Sequence, residues 1–179
     1  MPAITCTSSS VHLTGSPVAS PTTPTASNSS ESSVSAVTAG MAALSITPLV
    51  KTLIVDDNNI TAKMLSKILS KEFGHRTTCT GSGKEALNKL SIETFDIIFM
   101  DIDMPELSGI ETTIAIHATG SNVLEKNRQI PIIAYTTNPC EDRYFEAGMN
   151  GWVGKPANQS TVRKELERVY TSRQRSSSY

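Results

Sequence analysis

Two patterns of hydrophobic and polar positions alternate along residues 50–170. Short apolar runs of the kind that form buried strands are each followed by a stretch in which apolar residues recur every three or four positions, the spacing of a helix. The runs that predict strands are VKTLIV (50–55), HRTTCT (75–80), FDIIFM (95–100), IIAYT (132–136) and GWV (151–153).

Five helices are predicted between and after these strands. The first is the clearest, because apolar residues from Ile60 to Phe73 recur at helical spacing between a cap candidate, Asn58, and a stop candidate, Gly74. Alternating strands and helices indicate an α/β fold in which helices cover both faces of a five-stranded parallel sheet. The remaining helices are predicted over 81–90, 107–118, 138–147 and 160–170, with a loop at 120–129.

Residues 1–48 show neither pattern. Ser and Thr fill 20 of these 48 positions, Pro fills five, and Glu31 is the only charged side chain. This composition offers too little apolar area to offset the entropy lost on ordering, so we expect the region to be disordered. It is either a plain flexible tail or a target of proline-directed kinases, whose hypothetical sites are Ser16, Ser20, Thr23 and Thr47.

Length and net charge narrow the classes of function. A chain of 179 residues allows one domain and a tail, which we place at 49–171 and 172–179. The net charge of −1 predicts no strong attraction to nucleic acid or to an anionic membrane. No apolar run approaches the roughly 20 residues that a bilayer-spanning helix needs.

Cysteine usage and the N-terminus indicate where the protein works. Cys6, Cys79 and Cys140 are odd in number and far apart, so neither a disulfide framework nor a zinc site is expected and a reducing compartment is favoured. The N-terminal region has no arginine and no continuous apolar core, so it does not resemble a targeting signal. We therefore expect a protein of the cytoplasm or the nucleus.

Polar residues follow the predicted strands at the edge where ligands bind in parallel α/β sheets. Asp56 and Asp57 follow the first strand, Asp101 the third, Thr136 ends the fourth, and Lys155 lies just beyond the fifth. Three carboxylates at one edge repel each other and therefore need a cation. A small set of oxygen ligands suits Mg²⁺.

These residue types are also the parts of an acyl-phosphate site. An Asp that accepts a phosphoryl group acts as a nucleophile, and the metal would neutralise the group in transfer. Lys155 would supply a second positive charge, and the Thr136 hydroxyl would donate a hydrogen bond. Taken singly, Asp56 and Asp57 could merely cap a helix, Thr136 could be a plain strand residue and Lys155 a solvated lysine, but their joint placement favours a site.

The chain resembles the receiver domain of two-component response regulators. Each matching segment is a weak motif alone, and their order and spacing together are specific. The resemblance covers roughly 50–170 and implies a flavodoxin-like sheet with strand order 2-1-3-4-5. The segments are VDDN (55–58), GSGKEAL (81–87), MDIDMPELSG (100–109), IIAYT (132–136) and AGMNGWVGKP (147–156).

The resemblance implies a role for each acidic residue of the predicted site. Asp101 is the phosphoacceptor and a Mg²⁺ ligand. Asp57 binds Mg²⁺ directly, and Asp56 does so largely through water. The backbone carbonyl of Asp103 is a further Mg²⁺ ligand.

The resemblance also implies a switch. Thr136 and Lys155 contact the phosphoryl group, and the Thr136 hydroxyl moves toward it while an aromatic side chain on the fifth strand turns inward. Trp152 occupies that aromatic position, where Tyr or Phe is more usual. Thr137 stands where a small Ala is common, and Gly154 precedes the lysine, so the chain departs from the family pattern around the site without losing a required group.

The implied function is signalling rather than catalysis of an external reaction. A histidine kinase or histidine phosphotransfer protein would donate the phosphoryl group, and the receiver would catalyse only its own phosphorylation and dephosphorylation. Its output would be a protein contact, without direct binding to nucleic acid or membrane. The Ser/Thr-rich extension and AGMNGWVGKP (147–156) also resemble fungal phosphorelay proteins, including small stress response regulators with roles in osmotic or oxidative stress and morphogenesis.

Two other classes of function are open. Asp101-x-Asp103 resembles the nucleophile motif of haloacid-dehalogenase-type phosphohydrolases, but Pro105 stands where Thr or Val is expected and the nucleophile lies on the third predicted strand instead of the first. A pseudo-receiver, which only binds partners, usually lacks part of the acidic pair, the acceptor or the lysine. All of these are present here.

Overall fold

A computed structural model describes residues 49–176 of the chain. The predicted disordered region 1–48, with its Ser-Pro and Thr-Pro pairs, and the last three residues of the predicted tail lie outside the described residues. Five strands form one sheet, in which every pair is parallel. They are β1 (Lys51–Val55), β2 (Arg76–Thr80), β3 (Ile97–Met100), β4 (Ile132–Thr136) and β5 (Gly151–Gly154).

The strands lie in the order β2-β1-β3-β4-β5, which confirms the predicted topology. A short 3₁₀ helix, Glu125–Gln129, occupies the second half of the predicted loop. The helices that alternate with the strands are α1 (Asn59–Phe73), α2 (Gly83–Ile92), α3 (Gly109–His117), α4 (Asp142–Glu146) and α5 (Gln159–Ser176).

Three helices differ in length from the prediction, α3 only by the ends of its predicted range, 107–118. The fourth was expected to begin at Asn138, yet α4 begins only at Asp142, because the backbone and side chain of Asn138 bind residues outside the helix. The last helix runs to Ser176, beyond the expected end at residue 170 and into the predicted tail. Neither Gly nor Pro follows Tyr170 to end a helix there.

The caps of α1 are as predicted. The Asn58 side chain accepts a hydrogen bond from the backbone N–H of Ile60, which satisfies one of the free donors at the start of the helix. Gly74 ends α1 with a φ of 69°, in the left-handed region that glycine occupies without strain. These two residues fix where the chain turns from β1 into the helix and back toward β2.

The helices enclose two hydrophobic cores, one on each face of the sheet. Neighbouring strand residues face opposite sides, so Ile54 lies in one core while Leu53 and Val55 lie in the other. The first core, beneath α2, α3 and α4, includes Leu53, Val55, Ala86, Leu90, Ile98, Met100, Ile116 and Tyr144. The second, beneath α1 and α5, includes Ile54, Leu65, Leu69, Phe99, Ile133, Tyr135, Val162 and Leu166.

A buried asparagine, Asn127, is hydrogen-bonded to three backbone groups of the stretch that connects α2 to the amino end of β3. Its side chain is 0% exposed. The amide oxygen accepts from the backbone N–H of Phe95 at 2.9 Å, and the amide nitrogen donates to the carbonyls of Leu90 at 2.8 Å and Glu93 at 2.7 Å. All the hydrogen-bonding groups at this point are thus satisfied without water.

Within residues 49–176, every helix is too short or too polar to cross a membrane.

One of the described cysteines, Cys79, has a free, exposed thiol. Cys6 lies outside the described residues, so the predicted absence of a disulfide framework stays a prediction.

Candidate functional site

Three carboxylates meet at the carboxyl edge of the sheet, as predicted. Asp56 and Asp57 follow β1 and Asp101 follows β3, which pair directly with each other. A carboxylate oxygen from each lies within 4.8 Å of the others. Asp56 is 1% exposed and Asp101 is 6% exposed, while Asp57 is exposed. Two of the three negative charges therefore lie in a nearly water-free environment.

Asp56 is held from several sides. One carboxylate oxygen accepts the backbone N–H of Asn58 at 2.9 Å, and the other accepts the Thr61 hydroxyl at 2.7 Å. The second oxygen also lies 2.9 Å from the ammonium nitrogen of Lys155. These contacts orient Asp56 strongly, so its carboxylate can bind a cation only through its remaining lone pairs or through water.

Asp57 has the opposite surroundings. Its side chain makes no hydrogen bond or ion pair with residues 49–176. The cap of α1 is Asn58, so Asp57 is not needed to begin the helix. An exposed carboxylate next to two buried ones has oxygens free for a metal ion.

Lys155 supplies the one cation of the cluster. It follows β5 directly and precedes the cis peptide bond to Pro156. Its ammonium nitrogen lies 2.7 Å from Asp101 and 2.9 Å from Asp56, and its side chain is only 8% exposed. The same nitrogen lies 4.9 Å from the centre of the Tyr135 ring. Burial, together with the charge of Asp56, raises the pKa of Tyr135 to about 12, so this ring stays neutral.

The environment of Asp101 favours a reactive carboxylate. Burial raises its pKa above the ordinary value of 3.8, and repulsion from Asp56 acts in the same direction. The hydrogen bond and charge of Lys155, and the backbone N–H of Ile102 at 2.8 Å, lower the pKa and limit that rise. When it is ionised, a carboxylate with a raised pKa is more basic, and it is therefore a better nucleophile.

The donor set fits a magnesium ion. Three carboxylates against one ammonium group leave an excess of two negative charges. Oxygens bound to Mg²⁺ at 2.0–2.1 Å lie about 3 Å apart when adjacent and about 4 Å when opposite. Carboxylate oxygens within 4.8 Å of one another can reach this arrangement with small side-chain rotations. Among the described residues, neither the soft thiolate of Cys nor the nitrogen of His belongs to this group, which suits a hard cation.

Thr136 and Asp103 lie at the same edge of the sheet, and both are hydrogen-bonded to the same third residue. Thr136 ends β4 and is completely buried. Its hydroxyl oxygen accepts the backbone N–H of Asn138 at 3.2 Å. The exposed carboxylate of Asp103 accepts the side-chain amide of Asn138 at 2.6 Å. The predicted role of Asp103, as a Mg²⁺ ligand, belongs to its backbone carbonyl. The hydrogen bond made by its carboxylate was not predicted.

Trp152, the predicted aromatic switch residue, is half-buried on β5 and packs against the first core. Its indole N–H donates to the carbonyl of Asn138 at 3.1 Å. Gly154 leaves space for the ring, since a Cβ at that position would lie 3.1 Å from it. Gly154 therefore accommodates the large side chain.

Two residues of the site were not anticipated from the sequence. Asn138 bonds to Thr136, Asp103 and Trp152, although helical periodicity assigned it to a helix. Gly109 begins α3 so close to Asp101 that a Cβ there would overlap the Asp101 carbonyl oxygen. The only available signal for Gly109 was its place in the segment MDIDMPELSG.

The comparisons with known proteins agree on one family. The model of the response regulator receiver domain matches residues 52–167. A protein-glutamate methylesterase/protein-glutamine glutaminase of Nocardioides sp. is 34% identical over 128 residues. The match covers 68% of this chain and 33% of the relative. Probable histidine kinase 4 of Oryza sativa subsp. japonica is 31% identical, over 65% of this chain and 13% of the kinase. The chain thus spans at most a third of these curated relatives.

Solved structures match over nearly their whole length. The chemotaxis response regulator CheY4 of Vibrio cholerae is 31% identical with a TM-score of 0.60, covering 68% of this chain and 98% of that one. The receiver domain of sensor histidine kinase PA1611 from Pseudomonas aeruginosa PAO1 is 31% identical with a TM-score of 0.58. It covers 67% of this chain and 96% of its own, and magnesium is coordinated in its active site cleft.

Proposed function

The chain belongs to the response regulator receiver domain family, and on that premise we propose that Asp101 accepts a phosphoryl group from a phosphohistidine. The donor is a histidine kinase or a histidine phosphotransfer protein. One observation carries the proposal: a buried carboxylate, Asp101, lies 2.7 Å from the Lys155 ammonium and within reach of two further carboxylates. The pairing supports the proposal because the phosphorylated form of Asp101 would need a positive charge beside it.

The proposed reaction is a displacement at phosphorus. An Asp101 carboxylate oxygen forms the new P–O bond, the P–N bond of the phosphohistidine breaks, and its electron pair stays on the imidazole nitrogen, which takes a proton from water. The product is an aspartyl phosphate. Lys155 turns its ammonium from the free carboxylate toward the phosphoryl oxygens, and the Thr136 hydroxyl donates a hydrogen bond to one of them.

We assign the magnesium site to the acidic residues of this edge. Asp57, Asp101 and the backbone carbonyl of Asp103 would hold the ion, with Asp56 bound largely through water. When bound, Mg²⁺ supplies charge neutralisation for the phosphoryl group in transfer. The support is the all-oxygen donor set and its excess negative charge.

The proposed output is a changed protein-binding surface. Movement of Thr136 toward the phosphoryl group would be accompanied by rotation of Trp152, altering the surface formed by α4, β5 and α5. The partner is a protein, and no direct contact with nucleic acid or membrane is proposed. The proposed location is the cytoplasm or the nucleus.

Phosphotransfer tests this function directly. A phosphorylated histidine phosphotransfer protein should transfer one phosphoryl group per chain in the presence of Mg²⁺. Asp101→Asn should lose the label, while Asp142→Asn, an exposed change on α4, should keep it. Equal labelling of Asp101→Asn would refute the assignment. Repeated cleavage of a phosphomonoester would favour the phosphohydrolase, and no labelling of the intact chain would favour the pseudo-receiver.

A finer proposal is a role in the response of a fungal cell to osmotic or oxidative stress, and in its morphogenesis. Its support is the resemblance of the N-terminal composition and of AGMNGWVGKP (147–156) to small fungal stress regulators. In the cells of origin, the phosphorylated fraction of Asp101, read by phosphate-affinity electrophoresis, should change within minutes of stress. An unchanged fraction under both stresses would remove this role but not the phosphotransfer chemistry.

A further inference from the structure

The sheet has two edge strands, and side chains of α5 cover the edge of one of them. On β5, the Glu165 carboxylate accepts the backbone N–H of Trp152 at 2.8 Å, and the Arg168 guanidinium donates to the carbonyl of Asn150. Proteins commonly cover a strand edge, because its unpaired backbone groups can pair with another chain. The other edge strand, β2, lies beside β1 at the opposite side of the sheet.

The backbone groups on the outer side of β2 lack such a cover. The N–H of Arg76 and the carbonyl of Thr80 pair with the residues that flank β1, so these two residues face β1. Backbone groups alternate in direction along a strand, so Thr77 and Cys79 present their N–H and C=O groups on the free side. Within residues 49–176, no helix, loop or side chain forms a hydrogen bond with these four groups. They can therefore pair with an added strand.

A groove lies between β2 and α2, beside this free edge. Its volume is about 260 Å³, below the roughly 300–1,000 Å³ of a typical small-molecule pocket. Ile92, one of its lining residues, is 77% exposed although it is apolar. Such a groove can hold side chains of an extended segment that pairs with the strand, and Ile92 offers them an apolar contact. The lining residues are Cys79, Thr80, Glu85, Asn88, Lys89 and Ile92.

Unpaired positive charges surround the edge. Lys89 lines the groove on the α2 side, and Arg76 belongs to β2 itself. Burial raises the pKa of the Cys79 thiol while the charge of Lys63, on α1, acts in the opposite direction, which places that ammonium near the strand. In the described part of the chain, none of these three cations belongs to an ion pair. The Glu85 carboxylate also lines the groove, but it accepts a backbone N–H of the loop before α2 at 2.9 Å.

We propose that the free edge of β2 is a docking site for an extended, acidic segment of a partner protein, which adds one further strand to the sheet. Backbone hydrogen bonds to Thr77 and Cys79 supply the affinity, and the surrounding cations select acidic side chains. A second copy of this chain fits less well, because pairing two β2 edges brings like charges together. The site does not include the acidic cluster around Asp101, so the inference does not rest on the proposed function.

A fluorescein-labelled peptide of about eight residues that alternates valine and glutamate tests the site on the intact chain. Fluorescence anisotropy should show saturable binding with a dissociation constant below about 1 mM. The same peptide with lysine in place of glutamate should bind at least about ten-fold more weakly. Absence of binding by the acidic peptide, or equal binding of the two peptides, would overturn the proposal.

Hydrogen exchange measured by NMR locates the bound peptide. The acidic peptide should slow exchange of the Thr77 and Cys79 amides about ten-fold, because both become hydrogen-bonded. The amide of Trp152, on the covered edge, should exchange at its original rate. A bound peptide that leaves the two β2 amides unprotected would place it elsewhere and refute the strand addition.

Two substitutions of one residue separate the backbone of β2 from its side chains. Cys79→Pro removes an outward N–H but no hydrogen bond to β1, and it should weaken binding of the acidic peptide roughly ten-fold. Cys79→Ala keeps that N–H and should bind as wild type does. Equal weakening in the two variants would contradict backbone pairing. If Cys79→Pro does not fold by circular dichroism, the exchange measurement on wild type decides the question.

Charge reversal tests the choice of an acidic partner. Lys89→Glu should weaken binding of the acidic peptide roughly five-fold. Lys164→Glu makes the same change at an exposed position of α5 and should leave binding unchanged. Equal effects of the two variants would contradict the charge selection. A wild-type dimer in sedimentation that Cys79→Pro dissociates would assign the edge to a second copy of the chain and overturn the proposal.

Discussion

Lys155 shows how strongly the site depends on single charges. Its ammonium lies between two carboxylates that are nearly inaccessible to water, at 2.7 and 2.9 Å. Removing one partner from a buried ion pair leaves the other charge without compensation. The resting protein therefore needs Lys155 for stability as well as for the proposed chemistry.

We expect Lys155→Met to lower the free energy of unfolding by about 3 kcal/mol in metal-free buffer, because Asp56 and Asp101 then repel each other in a buried setting. Urea denaturation measures this loss. The control is Lys84→Met, which removes an ion pair to Glu106 whose side chains are 69% and 67% exposed. Pairs of that kind contribute at most about 1 kcal/mol. Equal losses in the two variants would contradict the buried pair.

The raised pKa of Asp101 predicts a pH dependence with a defined sign. Folding raises the pKa of this carboxyl because burial disfavours its charge, so its contribution to stability is largest when it is protonated and is lost as pH rises through the folded pKa. In metal-free buffer, the unfolding free energy of wild type minus that of Asp101→Asn should decrease as the pH rises above the ordinary carboxyl pKa of 3.8. A difference that is constant or increases with pH would contradict this environment.

At the scale of secondary structure, the loops after the strands decide the geometry of the site. The start of α3 is fixed by Ser108, whose side chain and backbone exchange hydrogen bonds with Glu111 in a capping box. The next residue, Gly109, donates its backbone N–H to Ile102 at 3.0 Å and lies against the Asp101 carbonyl. The helix can thus approach Asp101 only because this position lacks a side chain.

Gly109→Ala should therefore destabilise the protein by at least about 2 kcal/mol, since the added methyl group overlaps backbone and not a flexible side chain. It should also slow phosphotransfer by displacing Asp101. Gly81→Ala, where the nearest atom to the new Cβ lies 3.9 Å away, should change stability by no more than about 0.5 kcal/mol. Thermal unfolding of the two variants checks the contrast. A Gly109→Ala protein as stable as Gly81→Ala would contradict the close approach.

The range of the interactions along the chain explains why some helices could be predicted from the sequence and the start of one could not. The first helix was predictable because its cap, apolar face and stop are all local signals at Asn58, Leu65 and Gly74. The start of α4 was not, since helical periodicity assigned Asn138 to the helix although it precedes Pro139 and binds Asp103 and Trp152, which are distant in sequence. Tertiary hydrogen bonds decided against helical periodicity at that point.

For the whole molecule, the parallel sheet is what made the acidic site predictable. Once strands β1 and β3 are parallel neighbours, residues that follow them must share an edge, so Asp56, Asp57 and Asp101 could be placed together without coordinates. The sequence could not predict that Asp56 is buried and paired with a lysine while Asp57 is exposed, because these surroundings depend on how the side chains pack.

Metal binding should stabilise the whole domain, because a ligand that binds only the folded state adds its binding free energy to folding. At Mg²⁺ concentrations about ten times the dissociation constant, the gain is about 1.4 kcal/mol. We expect this gain in wild type and in the control Asp142→Asn, and little of it in Asp57→Asn. Thermal unfolding with and without Mg²⁺ measures it. A gain of the same size in Asp57→Asn would exclude Asp57 as a ligand.

We expect the Asn127 side chain to restrain the amino end of the sheet. It is completely buried and bonds three backbone groups of the stretch that connects α2 to the amino end of β3, so opening that end would expose several unsatisfied polar groups at once. The backbone amide of Phe95 is therefore expected to exchange its hydrogen with solvent only through global unfolding, whereas amides of the loop after β4 exchange through local opening. The amino end of the sheet is thus expected to stay rigid. Small displacements at the carboxyl end are therefore expected to move the surface around that end.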